Sequence, residues 1–207
     1  MIDTAFLITS FVTLFVIIDP IGLTPVFLAL TQGASPKERR SIALRATFTA
    51  MFLLALFALF GEAVLGFAGI SMAAFRVAGG ILLFLTALDM LFERRTKRRE
   101  HQGEEADKAE DPSVFPMSIP LIAGPGSIAT VILLAGQKPG FEGFALVMGV
   151  VVAVLVIMLM MFLVSGALER ILGKTGINVV TRLLGMLLAA LSVQFVLDGL
   201  RAFGFAN

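Results

Sequence analysis

The stretch DPIGLTP, residues 19–25, interrupts an apolar run that is otherwise long enough to cross a bilayer as one helix. Its two prolines remove backbone donors and clash with the preceding helical turns, and Gly22 gives the chain freedom to turn. We therefore predict a helix that is broken near the middle of the membrane, with Thr24 as N-cap and Pro25 in the first turn of a second half-helix. Opened backbone at that depth is tolerated only where protein or a water-filled cavity surrounds it.

A second stretch, PLIAGPGS at residues 120–127, repeats the same device. Its prolines are five residues apart, as they are in the first stretch: Pro20 and Pro25, Pro120 and Pro125. Gly124 or Ser127 is the predicted N-cap of a half-helix that continues to about residue 135. The sequence thus predicts two broken helices.

The composition around these stretches is that of a membrane protein. Of the 207 residues, 58% are hydrophobic and 15% are charged, and the mean hydropathy is +0.97. We find six windows of about 20 apolar residues, the length that crosses a bilayer. They cover residues 5–31, 42–66, 70–92, 114–135, 143–168 and 179–203.

Basic residues predict the orientation of these spans. Most of the 16 Lys and Arg residues fall in the first, third and fifth loops, and short basic loops stay in the cytoplasm. We therefore expect a cell inner membrane protein with both termini outside the cytoplasm. The charged residues 93–113 are predicted to form a flexible cytoplasmic linker, in which His101 is solvated.

A second repeated pattern points to two related halves. Arg76, Gly79 and Thr86 of the third span have the same spacing as Arg182, Gly185 and Ser192 of the sixth. Because each half contains three spans, an odd number, the second half enters the membrane inverted relative to the first. The fold prediction is an all-α membrane domain of two inverted three-helix repeats, residues 1–92 and 114–207, with broken first and fourth helices.

The breaks are also the predicted substrate site. An acid in mid-span costs at least about 2.5–3.5 kcal/mol and therefore usually has a function, although Asp19 would also suit a purely structural role as acceptor for the broken backbone. Two half-helix N-termini that meet would bind an anion such as a carboxylate. The candidate substrate-binding residues are Asp19, Gly22, Thr24, Pro25, Gly124, Gly126 and Ser127.

Charged residues at the ends of the third and sixth spans are candidates for gating. Ion pairs among Arg76, Asp89, Arg182 and Asp198 would close the two mouths of a pathway, and the alternative is that their side chains extend to the membrane surface.

The two breaks and the segment RVAGG at residues 76–80 together resemble the MarC family of integral membrane proteins, over nearly the whole chain. The resemblance implies a bacterial-type cytoplasmic membrane protein. It also implies a link to amino-acid transport, because a related archaeal member transports small neutral amino acids and the family is grouped with lysine exporters.

The leading functional hypothesis is a secondary transporter or exporter of small neutral amino acids, with the substrate ammonium at Asp19 and coupling to H⁺ or Na⁺. Alternatives are export of another small metabolite and a membrane subunit without transport activity. The chain has no Cys and its spans carry no His, so we expect no enzyme activity, metal or cofactor. A net charge of +1 argues against nucleic acid as a partner, and Gly79, Gly80 and Gly149 would suit a homodimer.

Overall fold

A computed structural model describes residues 4–95, 98–99 and 111–205, and within these ranges the regular secondary structure is helical. His101 and most of the predicted linker lie outside the described residues. The helices are α1 (Thr4–Ile18), α2 (Pro20–Leu30), α3 (Pro36–Phe67), α4 (Met72–Leu91), α5 (Ser113–Ile122), α6 (Pro125–Gln137), α7 (Phe141–Leu163) and α8 (Ser165–Ala202).

Five stretches of helix are long and apolar enough to cross a membrane: Thr4–Leu30, Pro36–Phe67, Met72–Leu91, Phe141–Leu163 and Thr175–Ala202. The pair α5 and α6 forms a sixth candidate if its two bent halves are one span. The prediction of an all-helical membrane protein is confirmed in this form, with five or six spans among the described residues.

The first break lies at Asp19, where the backbone turns left-handed with φ 58° and ψ 65°. Asp19, and not Thr24, is the N-cap of α2, so our predicted cap was wrong. The reason is local: Pro20 occupies the first helical position, where a missing N–H is harmless, and Asp is both a strong N-cap and tolerant of this backbone conformation. Thr24 lies inside α2, and its hydroxyl donates to the Pro20 carbonyl at 2.9 Å.

The second break lies between α5 and α6, whose axes differ by 57°. Helix α5 has π-type bonds, such as that from the Ala123 N–H to the Ser118 carbonyl at 2.8 Å. Gly124 then adopts an extended conformation and is the N-cap of α6, which confirms one of the two predicted caps. Both broken segments are therefore real breaks in the helical backbone.

The entrance to α5 is fixed to α3 by polar contacts. The hydroxyl and amide of Ser113 both donate to Asp111, and this holds the pKa of the Asp111 carboxyl below its usual value. The ionised Asp111 carboxylate pairs with Arg45 of α3 at 3.0 Å. One turn further along, the Ser118 hydroxyl donates to the Ala46 carbonyl of α3 at 2.8 Å.

Helices α4 and α8 form the closest helix pair, and glycines make their approach close. A Cβ atom on Gly80 of α4 would lie 2.8 Å from the Ser192 carbonyl oxygen, and one on Gly199 of α8 would lie 3.1 Å from the Ala73 carbonyl oxygen. The early part of α4 thus contacts the late part of α8, so the two helices are antiparallel. Elsewhere, α3 packs on α5, α6 and α7, and α2 packs on α7 and α8.

This packing gives a first testable prediction. Gly80→Ala should lower the free energy of unfolding by about 1–3 kcal/mol, because the added methyl group meets the rigid backbone of α8. The measurement is denaturant unfolding of the purified protein in detergent. Gly149→Ala in α7 is the matched control, since a Cβ there meets nothing within 4 Å. Equal stability of the two variants would contradict the close approach of α4 and α8.

Candidate functional site

A cavity of about 550 Å³ lies where the two breaks meet α4. Its walls come from the end of α1 at Ile17, from Thr86 and Asp89 on α4, and from the α5–α6 break at residues 120–127. Three arginines that follow α4, namely Arg95, Arg98 and Arg99, complete the lining. The cavity thus combines polar and apolar walls within a largely apolar protein.

The N-terminus of α6 forms one wall of this cavity. Gly124, Gly126 and Ser127 all line it, and the N-cap residue, Gly124, has no side chain that could accept from the N–H groups of the first turn. A Cβ on Gly126 would lie 2.8 Å from Ile17 Cδ1, so the start of α6 packs against the end of α1. An uncapped helix start has free N–H groups and a partial positive charge, which together suit an anion.

The Ser127 side chain stabilises the turn that exposes these groups. Its hydroxyl oxygen accepts from the Gly124 N–H at 3.0 Å, and it donates to the Ile122 carbonyl at 2.6 Å. A Cβ on Gly124 would collide with the Pro120 carbonyl oxygen, so the turn requires glycine at this position. Ser127 therefore acts on the backbone of the break.

Asp19 is fully engaged by protein groups. One carboxylate oxygen accepts from the Gly22 N–H at 3.0 Å, and the other pairs with Arg99 at 2.8 Å. The Asp19 and Arg99 side chains are 1% and 5% exposed, respectively. Asp19 thus satisfies the broken backbone, as the alternative interpretation had it, and it holds an arginine in place. A side chain at Gly22 would collide with the carboxylate, which explains the glycine there.

Arg95 and Arg99 bind the open end of α1. Arg99 donates to the Ile18 carbonyl at 3.1 Å, and Arg95 donates to the Ile17 carbonyl. The break leaves these carbonyls without helical partners, and a cation at a helix C-terminus also interacts favourably with the helix dipole. Both arginines are buried, at 8% and 4% exposed.

Our sequence interpretation missed these two arginines and assigned them to the cytoplasmic linker. The available signal was their spacing of four, which places two side chains on one face of a helical turn directly after a span. A basic run in that place is equally typical of a cytoplasmic membrane surface, so spacing alone did not distinguish the two roles.

The predicted gating residues do not pair with one another. Asp89 pairs with Arg98 at 2.9 Å, and Arg182 pairs with Glu93 at 2.7 Å. Asp198 accepts from Gln194 at 2.8 Å. Arg98 follows α4 and reaches back to Asp89 near its end, whereas Glu93 lies beside α8, where Asn178 also donates to it at 3.5 Å. Among the described residues, the Arg76 Nε has no hydrogen-bond partner.

The structure therefore brings only some of the predicted site residues to the cavity. Gly124, Gly126, Ser127 and Asp89 line the cavity. Gly22, Thr24 and Pro25 are absent from its lining and lie in α2, and Asp19 reaches the cavity only through Arg99. Thr86 faces the cavity, and its hydroxyl donates to the Leu82 carbonyl at 2.9 Å.

Comparison of the sequence with known proteins shows a family match over nearly the whole chain. The model of the MarC family of integral membrane proteins matches residues 4–203. A UPF0056 membrane protein of Aquifex aeolicus is 39% identical over 196 residues, which are 94% of this chain and 92% of that protein. The UPF0056 membrane protein YvbG of Bacillus subtilis is 39% identical over 200 residues, 95% of each chain.

The similarity extends to archaea. A UPF0056 membrane protein of Methanocaldococcus jannaschii is 36% identical over 201 residues, which are 96% of this chain and 98% of that protein. No solved structure matches the chain.

Proposed function

The chain belongs to the MarC family of integral membrane proteins, and from this premise we propose that it is a secondary transporter or exporter that moves a small polar solute through the cavity between its two helix breaks. The observation that carries the proposal is the meeting of opened backbone, an uncapped helix N-terminus and buried charges in one cavity. A protein that only anchors or holds other proteins gains nothing from opened backbone and charges inside the membrane, because burying each of these groups there costs free energy.

An inverted duplication with six spans is part of this proposal. Exchanging α1–α2 with α5–α6, α3 with α7, and α4 with α8 converts most of the observed helix contacts into other observed contacts. For example, α2 packs on α8 as α6 packs on α4. The glycine contacts add to this: Gly80 meets Ser192 while Gly185 meets Ala87, as expected for a pair related by a two-fold axis. Transporters with alternating access commonly have this plan.

The proposed orientation places the basic loops, and with them the arginines after α4, on the cytoplasmic side of the cell inner membrane. Both termini then lie outside the cytoplasm. The cavity would open toward the cytoplasm past Arg98, whose side chain is 59% exposed.

The proposed solute is a small neutral amino acid. Its carboxylate would bind at the N-terminus of α6, near Gly126 and Ser127, where no side chain caps the helix. Its ammonium would bind Asp89 and not Asp19, since the Asp19 carboxylate already holds Arg99 and the Gly22 N–H. Asp89 lines the cavity, and its partner Arg98 is exposed enough to move into water.

The test is uptake of radiolabelled glycine and alanine into proteoliposomes that contain the purified protein. We expect uptake above that of protein-free liposomes, and a lower initial rate in Asp89→Asn, because the ammonium loses its partner. Glu62→Gln on α3 is the matched control, since that acid is exposed and absent from the cavity lining. Absence of flux for amino acids and for a panel of other small metabolites would instead support a membrane subunit without transport activity.

Coupling to H⁺ is favoured over coupling to Na⁺. In many transporters the carbonyl end of a broken helix binds the Na⁺, but here the guanidinium groups of Arg95 and Arg99 bind the last carbonyls of α1. We therefore expect that uptake is unchanged when choline replaces all Na⁺ and falls when an uncoupler removes the proton gradient. Loss of uptake in choline would contradict this assignment.

A further inference from the structure

Among the described residues, the arginines that line the cavity outnumber the carboxylates that pair with them. Arg99 is paired with Asp19 at 2.8 Å, and Arg98 is paired with Asp89 at 2.9 Å. The third arginine of the lining, Arg95, has no carboxylate within ion-pairing distance among the described residues. Among the described residues, three guanidinium groups thus face two carboxylates, and Arg95 is the one that forms no ion pair.

Arg95 is a buried cation whose hydrogen-bond partners among the described residues are neutral. Its side chain donates to the Ile17 carbonyl and to the Met90 sulfur, the latter at 3.1 Å, and the residue is 8% exposed. A guanidinium has five N–H donors, so donors remain for a ligand. A buried charge is costly unless it is paired, and an anion in the cavity would pair it.

The wall formed by α6 adds positive electrostatic potential to the same cavity. Its N-cap residue, Gly124, has no side chain to accept from the first-turn N–H groups, and Gly126 lines the same cavity as Arg95. Helix start and guanidinium together provide N–H donors and positive potential from two elements, and among the described residues neither is in direct contact with a carboxylate.

We propose that Arg95 is the residue that binds the carboxylate of the transported solute, and that the minimal ligand of the cavity is a small monocarboxylate, with or without an α-amino group. The claim rests on the proposed function for the role of the cavity, and it specifies the substrate class. A planar carboxylate matches the guanidinium fork, and its single negative charge equals the imbalance.

The α-amino group contributes less to binding in this arrangement. An ammonium at Asp89 replaces Arg98, so one ion pair is exchanged for another. The carboxylate, in contrast, supplies a partner that Arg95 lacks. The apolar part of the lining, such as Ile17, Leu82 and Leu85, suits a short aliphatic side chain.

The test is calorimetric titration of the purified protein in nanodiscs with three matched ligands: alanine, propionate and alaninamide. We expect alanine and propionate to bind with Kd values within about tenfold of each other, and alaninamide, which has no carboxylate, to bind at least about tenfold more weakly. This comparison uses the wild-type protein, so it does not depend on the folding of a variant.

The matched variants are Arg95→Gln and Arg94→Gln. Arg94 is the exposed neighbour, with its guanidinium over the Phe92 ring at 5.9 Å. Arg95→Gln should weaken propionate and alanine at least about tenfold, Arg95→Lys should restore part of the affinity, and Arg94→Gln should bind as the wild type does. Thermal unfolding of each variant without ligand shows that the comparison is made between folded proteins.

Several results would overturn the proposal: alaninamide binding as tightly as alanine, inorganic phosphate binding more tightly than propionate, no carboxylate binding at all, or unchanged affinity in folded Arg95→Gln. The outcome is separable from that of the proposed function. Carboxylate binding that depends on Arg95, without any flux in proteoliposomes, supports the binding site and rejects transport. Amino-acid flux that is equal in wild type and Arg95→Gln supports transport and rejects Arg95 as the residue that binds the carboxylate.

Discussion

Asp19→Ala is expected to destabilise the protein by about 3–5 kcal/mol, because it leaves the Arg99 guanidinium buried without its counter-ion. Loss of the N-cap bond to the Gly22 N–H adds about 1 kcal/mol to the same change. The measurement is the free energy of unfolding in mixed detergent micelles, with denaturing detergent as the variable.

A double-mutant cycle separates the ion pair from the cap. Arg99→Ala alone should also be strongly destabilising, and the double variant should be less destabilised than the sum of the single variants, since neither charge is then left alone. Asp198→Ala is the control, because within the described part of the chain its carboxylate accepts only from Gln194, on the surface of α8. If the effects of Asp19→Ala and Arg99→Ala simply add, the buried pair does not exist in the membrane.

Gly126→Leu is expected to reduce solute uptake to the background of protein-free liposomes. A Cβ on Gly126 already lies 2.8 Å from Ile17 Cδ1 and 3.9 Å from the Thr86 hydroxyl, so a leucine side chain would extend into the cavity. It would also cover the N–H groups at the start of α6, which we propose bind the carboxylate. The measurement is the initial rate of uptake into proteoliposomes.

The control for this variant is Gly149→Leu on α7. A Cβ at Gly149 meets nothing within 4 Å, and the residue is exposed on the outer surface of the helices. Uptake by Gly149→Leu should equal that of the wild type. Full uptake by Gly126→Leu, in protein whose thermal unfolding is unchanged, would place the pathway somewhere other than this cavity.

The two breaks show which features were predictable from the chain. Pro20, Pro120 and Pro125 exclude a continuous helix through steric clashes with residues close in sequence, so their effect does not depend on the rest of the fold. Gly124 as the N-cap of α6 follows from the same local chemistry. The misplaced cap of α2 was a local error too, since Asp followed by Pro is itself a helix start that we had assigned to Thr24 and Pro25.

The ion-pair partners, in contrast, were not predictable from the sequence. Asp19 and Arg99 are 80 residues apart in sequence, and no periodicity relates an acid in one helix to a base after another. The gating role of Arg76, Asp89, Arg182 and Asp198 stays a prediction, but the structure pairs two of these residues with others, because Arg98 lies beside Asp89 and Glu93 beside Arg182. The amino-acid sequence shows which charged residues are present, and the packing of the helices decides which of them form ion pairs.

Taken by itself, the amino-acid sequence determined that this is a helical membrane protein and where its helices break, because hydropathy and proline or glycine sterics act over a few neighbouring residues. Only the tertiary structure decided that Asp19 faces Arg99 instead of the cavity, and that Arg95 lines the cavity without a carboxylate partner among the residues that the structure describes. These outcomes depend on the approach of α1, α4 and α6, which is set by the packing of the whole chain.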